Sequence, residues 1–142
     1  MKKIIDFCTI IIFLLIIGIT SSYAQQSDIL VQWNTQCPDT CTSHEICTYL
    51  VEFTVVNYCV NPPVVLCYGS QWVNCSSSSA EFIGGCECED ATSNPCFLVI
   101  GRATKYCNGP GGNIAKCTGS GSKNVTCWQL MHYVTQIPIT WQ

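Results

Sequence analysis

Residues 46–60, ICTYLVEFTVVNYCV, decide the fold because apolar and polar side chains alternate along them. The mainly apolar set consists of Cys47, Tyr49, Val51, Phe53, Val55, Asn57 and Cys59. The other set carries the polar groups and consists of Thr48, Leu50, Glu52, Thr54, Val56 and Tyr58. A period of two, rich in β-branched and aromatic residues, predicts a half-buried strand. A disulfide from either cysteine would fix this strand to the core.

Further strands are predicted on both sides of this segment, at 29–33, 64–73, 96–107 and 137–141. The last of these is expected at a sheet edge, where proline is tolerated. Gly101 within the 96–107 strand is interpreted as a bulge. Residues 127–134 fit either a helical stripe or a strand.

Two stretches, 74–95 and 108–124, are rich in glycine, serine and asparagine and are predicted to be loops. The sequence therefore predicts a small disulfide-rich domain, mostly β, with short strands, long loops and at most one short helix.

The first 24 residues have the pattern of a secretory signal peptide. Two lysines precede an apolar run at 10–19, and Ser22-Tyr23-Ala24 places small side chains at the cleavage positions. The run is shorter than the about 20 residues that span a bilayer, although an uncleaved anchor is the alternative. We predict cleavage after Ala24 and a single secreted domain at 25–142, extracellular and without stable membrane insertion.

The cysteine count indicates a disulfide framework. The chain has 13 cysteines, and one of them, Cys8, lies in the predicted signal peptide. The remaining even set is Cys37, Cys41, Cys47, Cys59, Cys67, Cys75, Cys86, Cys88, Cys96, Cys107, Cys117 and Cys127. Such a set in a small secreted domain predicts disulfides, whose pairing the sequence does not reveal.

Metal binding is the alternative interpretation of clustered cysteines and acids. Cys86 and Cys88 have a spacing that thiolate ligands of zinc use, but no C-x2-C pair accompanies them. Glu87, Glu89 and Asp90 offer oxygen ligands for calcium without a recognisable binding loop. We expect neither a metal nor another cofactor.

Two sequons predict N-linked glycosylation at Asn74 and Asn124. Asn124 is the better candidate, since a disulfide at Cys75 would compete with glycan transfer at Asn74. Charged residues make up 11% of the chain, against roughly a quarter in typical soluble domains. Glycans would supply the missing solubility.

Charge is segregated along the predicted mature chain. Residues 25–101 contain eight acidic and no basic residues, and residues 102–142 contain four basic and no acidic ones. Either the two parts fold onto each other, or the basic end of one copy meets the acidic end of another. The second arrangement is heterologous and generates rings or filaments. Four scattered bases do not form a nucleic-acid-binding surface.

The tryptophans allow two readings, as core residues or as exposed contacts to an extracellular protein or a glycan. They are Trp33, Trp72, Trp128 and Trp141. The predicted loop at 108–124 is long enough to act as the presenting loop of a toxin or an inhibitor.

Two segments, CTSHEICTY at 41–49 and GGCECEDATSNPCF at 84–97, resemble motifs of the secreted phospholipases A2. The matching positions are Cys41, His44, Glu45, Cys47, Cys86, Cys88, Asp90, Cys96 and Phe97. The resemblance implies that His44 is the general base, that Glu45 binds calcium and that Asp90 orients the imidazole. It also implies long helices for both motifs.

The chain departs from that family at important positions. Glu45 stands where the family has aspartate, and residues 28–40 contain no glycine with which to build the calcium loop. His44 is therefore interpreted as a turn residue and His132 as a partly buried polar tip. We expect a non-enzymatic extracellular binding or structural protein, acting on a partner or on itself. The alternatives are a phospholipase-like hydrolase, an inactive relative of one, or a toxin- or inhibitor-type effector.

Overall fold

A computed structural model of the chain describes residues 27–33, 37, 46–88, 93–109 and 112–142. These residues form eight strands and one helix. In chain order they are β1 (Asp28–Gln32), β2 (Cys47–Asn57), β3 (Val64–Asn74), β4 (Ser79–Ile83), β5 (Phe97–Gly109), β6 (Gly112–Val125), α1 (Cys127–His132), β7 (Thr135–Pro138) and β8 (Thr140–Trp141). The predicted fold class, a mostly β, disulfide-rich domain with one short helix, is confirmed.

The strands form two sheets that pack face to face. The large sheet has the order β3-β2-β5-β6-β8, and the small sheet has the order β4-β1-β7. Phe53 of β2 packs on Phe82 of β4 with ring centroids 4.7 Å apart. At the other side of the sandwich, the backbone of Gly121 in β6 lies against Pro138 of β7. The buried core lies between the sheets.

Strand β2 covers most of the predicted segment 46–60 and buries the predicted side chains as far as Val55, whereas Cys59 lies beyond the end of the strand and is exposed. It pairs antiparallel with β3 on one side and with β5 on the other. Burial alternates along the strand from Cys47 to Val55, and Val51 and Val55 are fully buried. The period-two prediction is confirmed here because both neighbouring strands hold the segment extended while one face lies against the small sheet.

Five disulfides have both cysteines in the described part of the chain. They are Cys37–Cys117, Cys47–Cys107, Cys59–Cys96, Cys67–Cys86 and Cys88–Cys127. Cys75 is also disulfide-bonded, and Cys41 lies outside the described residues. Because Cys86 and Cys88 are both oxidised, they cannot supply the thiolates of the zinc site considered from their spacing.

The loop predicted at 108–124 is wrong, because most of it is strand β6. This strand pairs with β5 along its whole length. Its composition misleads because the small residues are required by packing: Gly119 and Gly121 lie so close to the C-terminal strands that neither position has space for a Cβ. Tertiary pairing here overrides low intrinsic strand propensity.

The bulge predicted at Gly101 is also wrong. Gly101 stays in regular register, opposite Phe53 and Gly121, and the register shifts instead between Lys105 and Tyr106. A Cβ at position 101 would lie 2.9 Å from Cγ2 of Ile137. Close approach of the small sheet therefore explains this glycine.

The ambiguous segment after β6 is a helix followed by a strand. Thr126 caps α1 in a capping box, since its side chain accepts from the Gln129 backbone N–H while the Gln129 side chain accepts from the Thr126 N–H, each at 3.0 Å. The two short strands that follow lie at sheet edges, β7 beside β1 and β8 beside β6. The edge position predicted for residues 137–141 is confirmed.

Candidate interaction surface

The large sheet has an outer face that the small sheet does not cover. It is formed by the side chains of β2 that alternate with the buried ones, and by their neighbours in register. Each row across this face contains one residue from each of β3, β2, β5 and β6, in that order. The four rows are Asn74-Thr48-Tyr106-Ala115, Trp72-Leu50-Thr104-Thr118, Ser70-Glu52-Arg102-Ser120 and Tyr68-Thr54-Ile100-Ser122. The face is thus mixed, with hydroxyl groups, aromatic rings and a central pair of opposite charges.

Aromatic rings stand on this outer face near β3. Trp72 is 57% exposed and Tyr68 is 81% exposed. The Trp72 ring lies 5.5 Å from that of Tyr106, at an angle of 58°. Side chains this large and this exposed are candidates for contact with something outside the fold.

The four tryptophans divide evenly between core and surface. Trp33 is buried, and its ring lies 5.1 Å from Tyr49 and 5.9 Å from Trp141. Trp141 packs against the core, whereas Trp72 and Trp128 are more than half exposed. Trp128 stacks on His132 at 4.8 Å. Two tryptophans therefore remain available for contact.

Charge segregation along the chain becomes segregation across the sandwich. Glu81 and Glu87 are exposed on the side formed by β3 and β4. Two contacts define that side: the Gln71 side chain of β3 donates to the Glu81 carbonyl at 3.2 Å, and a disulfide joins β3 to Cys86. The exposed Lys116 and Lys123 both lie on β6, at the opposite side. Opposite sides of the sandwich therefore carry opposite charge, with the acids beside β4 of the small sheet and the lysines on β6 of the large sheet.

Glu52 and Arg102 lie between these sides, directly opposed in register at the centre of the outer face. No ion pair within 4.0 Å joins these two described residues. They line a shallow depression of about 210 Å³ with Thr54 and Ile100. This depression is open and carries no further titratable group, so it offers polar contacts rather than a catalytic pair.

The two edges of the large sheet are covered by further strands to different extents. Among the described residues, β3 pairs with β2 alone. It contains 11 residues and no charged side chain. On the opposite edge, β8 pairs only with Gly119 and Ser120, so residues 112–118 of β6 have no strand beyond them in the described chain. Uncovered edges present backbone N–H and C=O groups that are able to pair with another chain.

Two polar side chains of the inner face, Tyr49 and Lys105, are buried. Burial raises the pKa of the Tyr49 phenol above its ordinary value of 10.0, and a backbone hydrogen bond with Cys37 acts in the opposite direction. Lys105 of β5 is only 1% exposed. Lys105 lies on the same face of β5 as the buried Val99, Ala103 and Cys107, so it belongs to the inner face.

His44 and Asp90, to which only the phospholipase resemblance would give a catalytic role, lie outside the described residues, as does Glu45. Their neighbours do not have the structure that the phospholipase resemblance implies, since Cys47 begins strand β2 and Phe97 begins strand β5. The long helices expected from the resemblance are therefore wrong at these positions. His132 is exposed at the end of α1, not partly buried as predicted.

Both predicted glycosylation sites are exposed on the outer face. Asn74 ends β3, and Asn124 is the penultimate residue of β6. Their register partners, Thr48 and Leu98, place them at opposite ends of the sheet. Neither side chain lies between the two sheets, so a glycan at either position is compatible with the fold.

The same described ranges show neither a metal-binding cluster nor a membrane-spanning helix. They contain no group of three or more His, Cys, Asp or Glu side chains arranged to hold a metal ion. No helix among them is long and apolar enough to cross a membrane. Comparisons with protein families, with curated proteins and with solved structures found no match to this chain.

Proposed function

We propose that this chain is a secreted structural protein that assembles head to tail with copies of itself outside the cell. The observation that carries the proposal is the position of opposite charges on opposite sides of the sandwich, next to edge segments of the large sheet, β3 and residues 112–118 of β6, that no other described strand covers. Glu81 and Glu87 flank the β3 edge, and Lys116 and Lys123 lie on β6.

The strand directions suit this contact. β3, β2, β5 and β6 alternate in direction, because each neighbouring pair is antiparallel. β3 and β6 of one copy therefore run in opposite directions. A second copy placed beside the first without inversion brings its β6 antiparallel to the uncovered edge of β3. The large sheet would then continue from copy to copy, as in other strand-addition contacts.

Charge complementarity selects this contact over others. Pairing β3 with β3, or β6 with β6, brings like charges together, whereas pairing β3 with β6 brings acids towards lysines. β3 itself has no charged residue that would oppose a neighbouring strand. Because the two surfaces in contact differ, repetition of the contact gives an open filament or a closed ring.

The secretory route is supported by the disulfides and by residues 1–24. Five described disulfides are typical of proteins that fold in an oxidising compartment. We place the cleavage of the signal peptide after Ala24, which leaves a disulfide-locked domain outside the cell. Disulfides stabilise such a domain even though few of its residues are charged for a domain of this size.

Sedimentation of the secreted protein at low and high salt tests the assembly. At about 20 mM NaCl we expect rings or filaments, and at about 500 mM NaCl we expect monomers, because salt screens contacts between exposed charges. Lys116→Gln with Lys123→Gln should dissociate the assembly at low salt. Arg102→Gln is compared with each of the two lysine variants made singly, since it too removes one positive charge, here from the outer face, and should leave assembly intact.

Two results would contradict the proposal. One is a monomer at low salt up to the highest soluble concentration. The other is equal loss of assembly in the single lysine variants and in Arg102→Gln, which would show that net charge matters and that the edge does not.

A further inference from the structure

We propose that Asn74 carries an N-linked glycan whose first sugar ring stacks on the indole of Trp72. The inference shares only the secretory route with the proposed function and does not depend on assembly. It assigns a glycosylation site at Asn74 and a sugar as the contact of Trp72, the most exposed tryptophan of the chain.

The position of Asn74 suits a glycan acceptor. Asn74-Cys75-Ser76 is a sequon, and Asn74 is exposed at the end of β3. The chain turns immediately afterwards, with the Ser77 N–H donating to the Asn74 carbonyl at 2.9 Å. The acceptor side chain therefore stands at a strand end that an enzyme can approach.

Strand geometry places Trp72 beside this acceptor. Residues two apart in a strand point to the same face, about 7 Å from each other. Trp72 and Asn74 are two apart in β3, and their partners Leu50 and Thr48 both belong to the outer face. A sugar linked to Asn74 can therefore lie back over the ring.

The ring is available for such a contact. Trp72 is 57% exposed, and Tyr106 supports one side of it at a centroid distance of 5.5 Å. One face of an N-acetylglucosamine ring consists largely of C–H groups, so stacking removes apolar surface of both partners from water. The hydroxyl groups at the rim of the sugar stay solvated.

The second sequon provides an internal control. Asn124 is also exposed, near the end of β6 and on the same outer face. The residue two positions before it is Ser122, which offers no ring. A glycan at Asn124 should therefore add bulk and solubility without the stabilising contact expected at Asn74.

The transfer step balances with the donor class that secretory pathways use, a lipid-pyrophosphate-linked oligosaccharide. Nδ2 of Asn74 bonds to C1 of the terminal N-acetylglucosamine, and the bond between C1 and the pyrophosphate oxygen breaks. The lipid pyrophosphate leaves with the bonding electrons, and Nδ2 gives up one proton to the transferase. Because Cys75 is disulfide-bonded in the folded protein, transfer must precede closure of that disulfide.

The test uses the full chain secreted from eukaryotic cells and studied as a monomer at about 500 mM NaCl, where screening removes edge contacts. Enzymatic removal of the glycan in ¹⁸O-water marks each occupied asparagine as labelled aspartate, which peptide mass spectrometry locates. Thermal unfolding is then compared before and after this complete removal of the glycan, with the Trp72 variants controlling for the aspartate that it leaves at position 74.

The expected result is label at Asn74 and a fall of about 2–4 °C in Tm on removal of the glycan, the shift that a contact of modest strength produces in a domain of this size. Trp72→Ala should abolish that fall. Trp72→Phe keeps an aromatic ring, so it should retain part of the fall, and it also shows that the fold survives substitution at this position. Asn124→Gln should leave the fall unchanged. Absence of label at Asn74, or an equal fall in Trp72→Ala and the unsubstituted protein, would overturn the inference.

Discussion

Cys47 and Cys107 lie directly opposite each other in the register of β2 and β5, and a disulfide joins them with their Cα atoms 4.1 Å apart. Both side chains are buried at the same end of the two central strands. The bond therefore fixes the register of the pair on which the rest of the large sheet is built.

We expect the disulfides to differ in their effect on stability. The Cys47–Cys107 bond closes a sequence separation of 60 residues and the Cys67–Cys86 bond one of 19. If chain entropy dominates, replacing the first pair by alanine should lower the free energy of unfolding by about 1 kcal/mol more than replacing the second. Urea unfolding of the two double variants measures the difference, and the reverse order would contradict the entropic account.

Gly121→Ala should destabilise the domain. A Cβ at this position would collide with the carbonyl oxygen of Pro138, which is backbone and cannot move aside alone. We expect the free energy of unfolding to fall by about 1–3 kcal/mol, as in other overpacked sites. Ser122→Ala, at an exposed position of the same strand, is the control and should have little effect. Equal stability of the two variants would show that β7 does not pack against β6 as described.

Stability should fall at alkaline pH because of Tyr49. Burial raises the pKa of this phenol in the folded protein above its ordinary value of 10.0. The unfolded chain therefore loses the proton first, so the contribution of Tyr49 to stability is fully present below pH 10.0 and is lost as pH rises from there through the folded pKa. Unfolding in urea between neutral and strongly alkaline pH measures this decline. Tyr49→Phe should reduce it, and an unchanged profile in that variant would assign the loss to other groups.

A lysine on the β3 edge should weaken assembly. Tyr68 is 81% exposed on this strand, and lysine on an edge strand opposes pairing with another chain. We expect Tyr68→Lys to weaken association at low salt about tenfold, equivalent to about 1.4 kcal/mol. Tyr68→Ser, which removes the ring without adding charge, serves as the comparison. Sedimentation that shows the same loss for both variants would assign the effect to the ring.

How well each strand or helix could be predicted from the sequence depends on what holds it in its conformation. Strand β2 was predictable because one of its faces is apolar and the other is polar. Strand β6 was not, since its small and polar residues are held extended by pairing with β5 and by the space that Pro138 and Ile139 leave. The capping box at Thr126 and Gln129 was readable in advance and would have decided for the helix.

The candidate surface was only half predictable. The segregation of acids and bases is visible in the sequence, but their position on opposite sides of the sandwich depends on strand order, which alternation does not encode. Likewise, the spacing of Trp72 and Asn74 could be read, while their common exposure depends on which side of β3 the small sheet covers. Lys105 has the same parity in β5 as the buried Ala103 and Cys107, so the alternation indicated its inner position, whereas its charge argued against burial.

The C-terminal strands have a consequence for the timing of folding. β7 belongs to the small sheet and β8 to the large one, and only Ile139 separates them. β7 is also the parallel neighbour of β1, near the beginning of the described chain. Neither sheet is complete until residues 135–141 have docked, so the two sheets of the sandwich close together, through one short segment that contributes a strand to each.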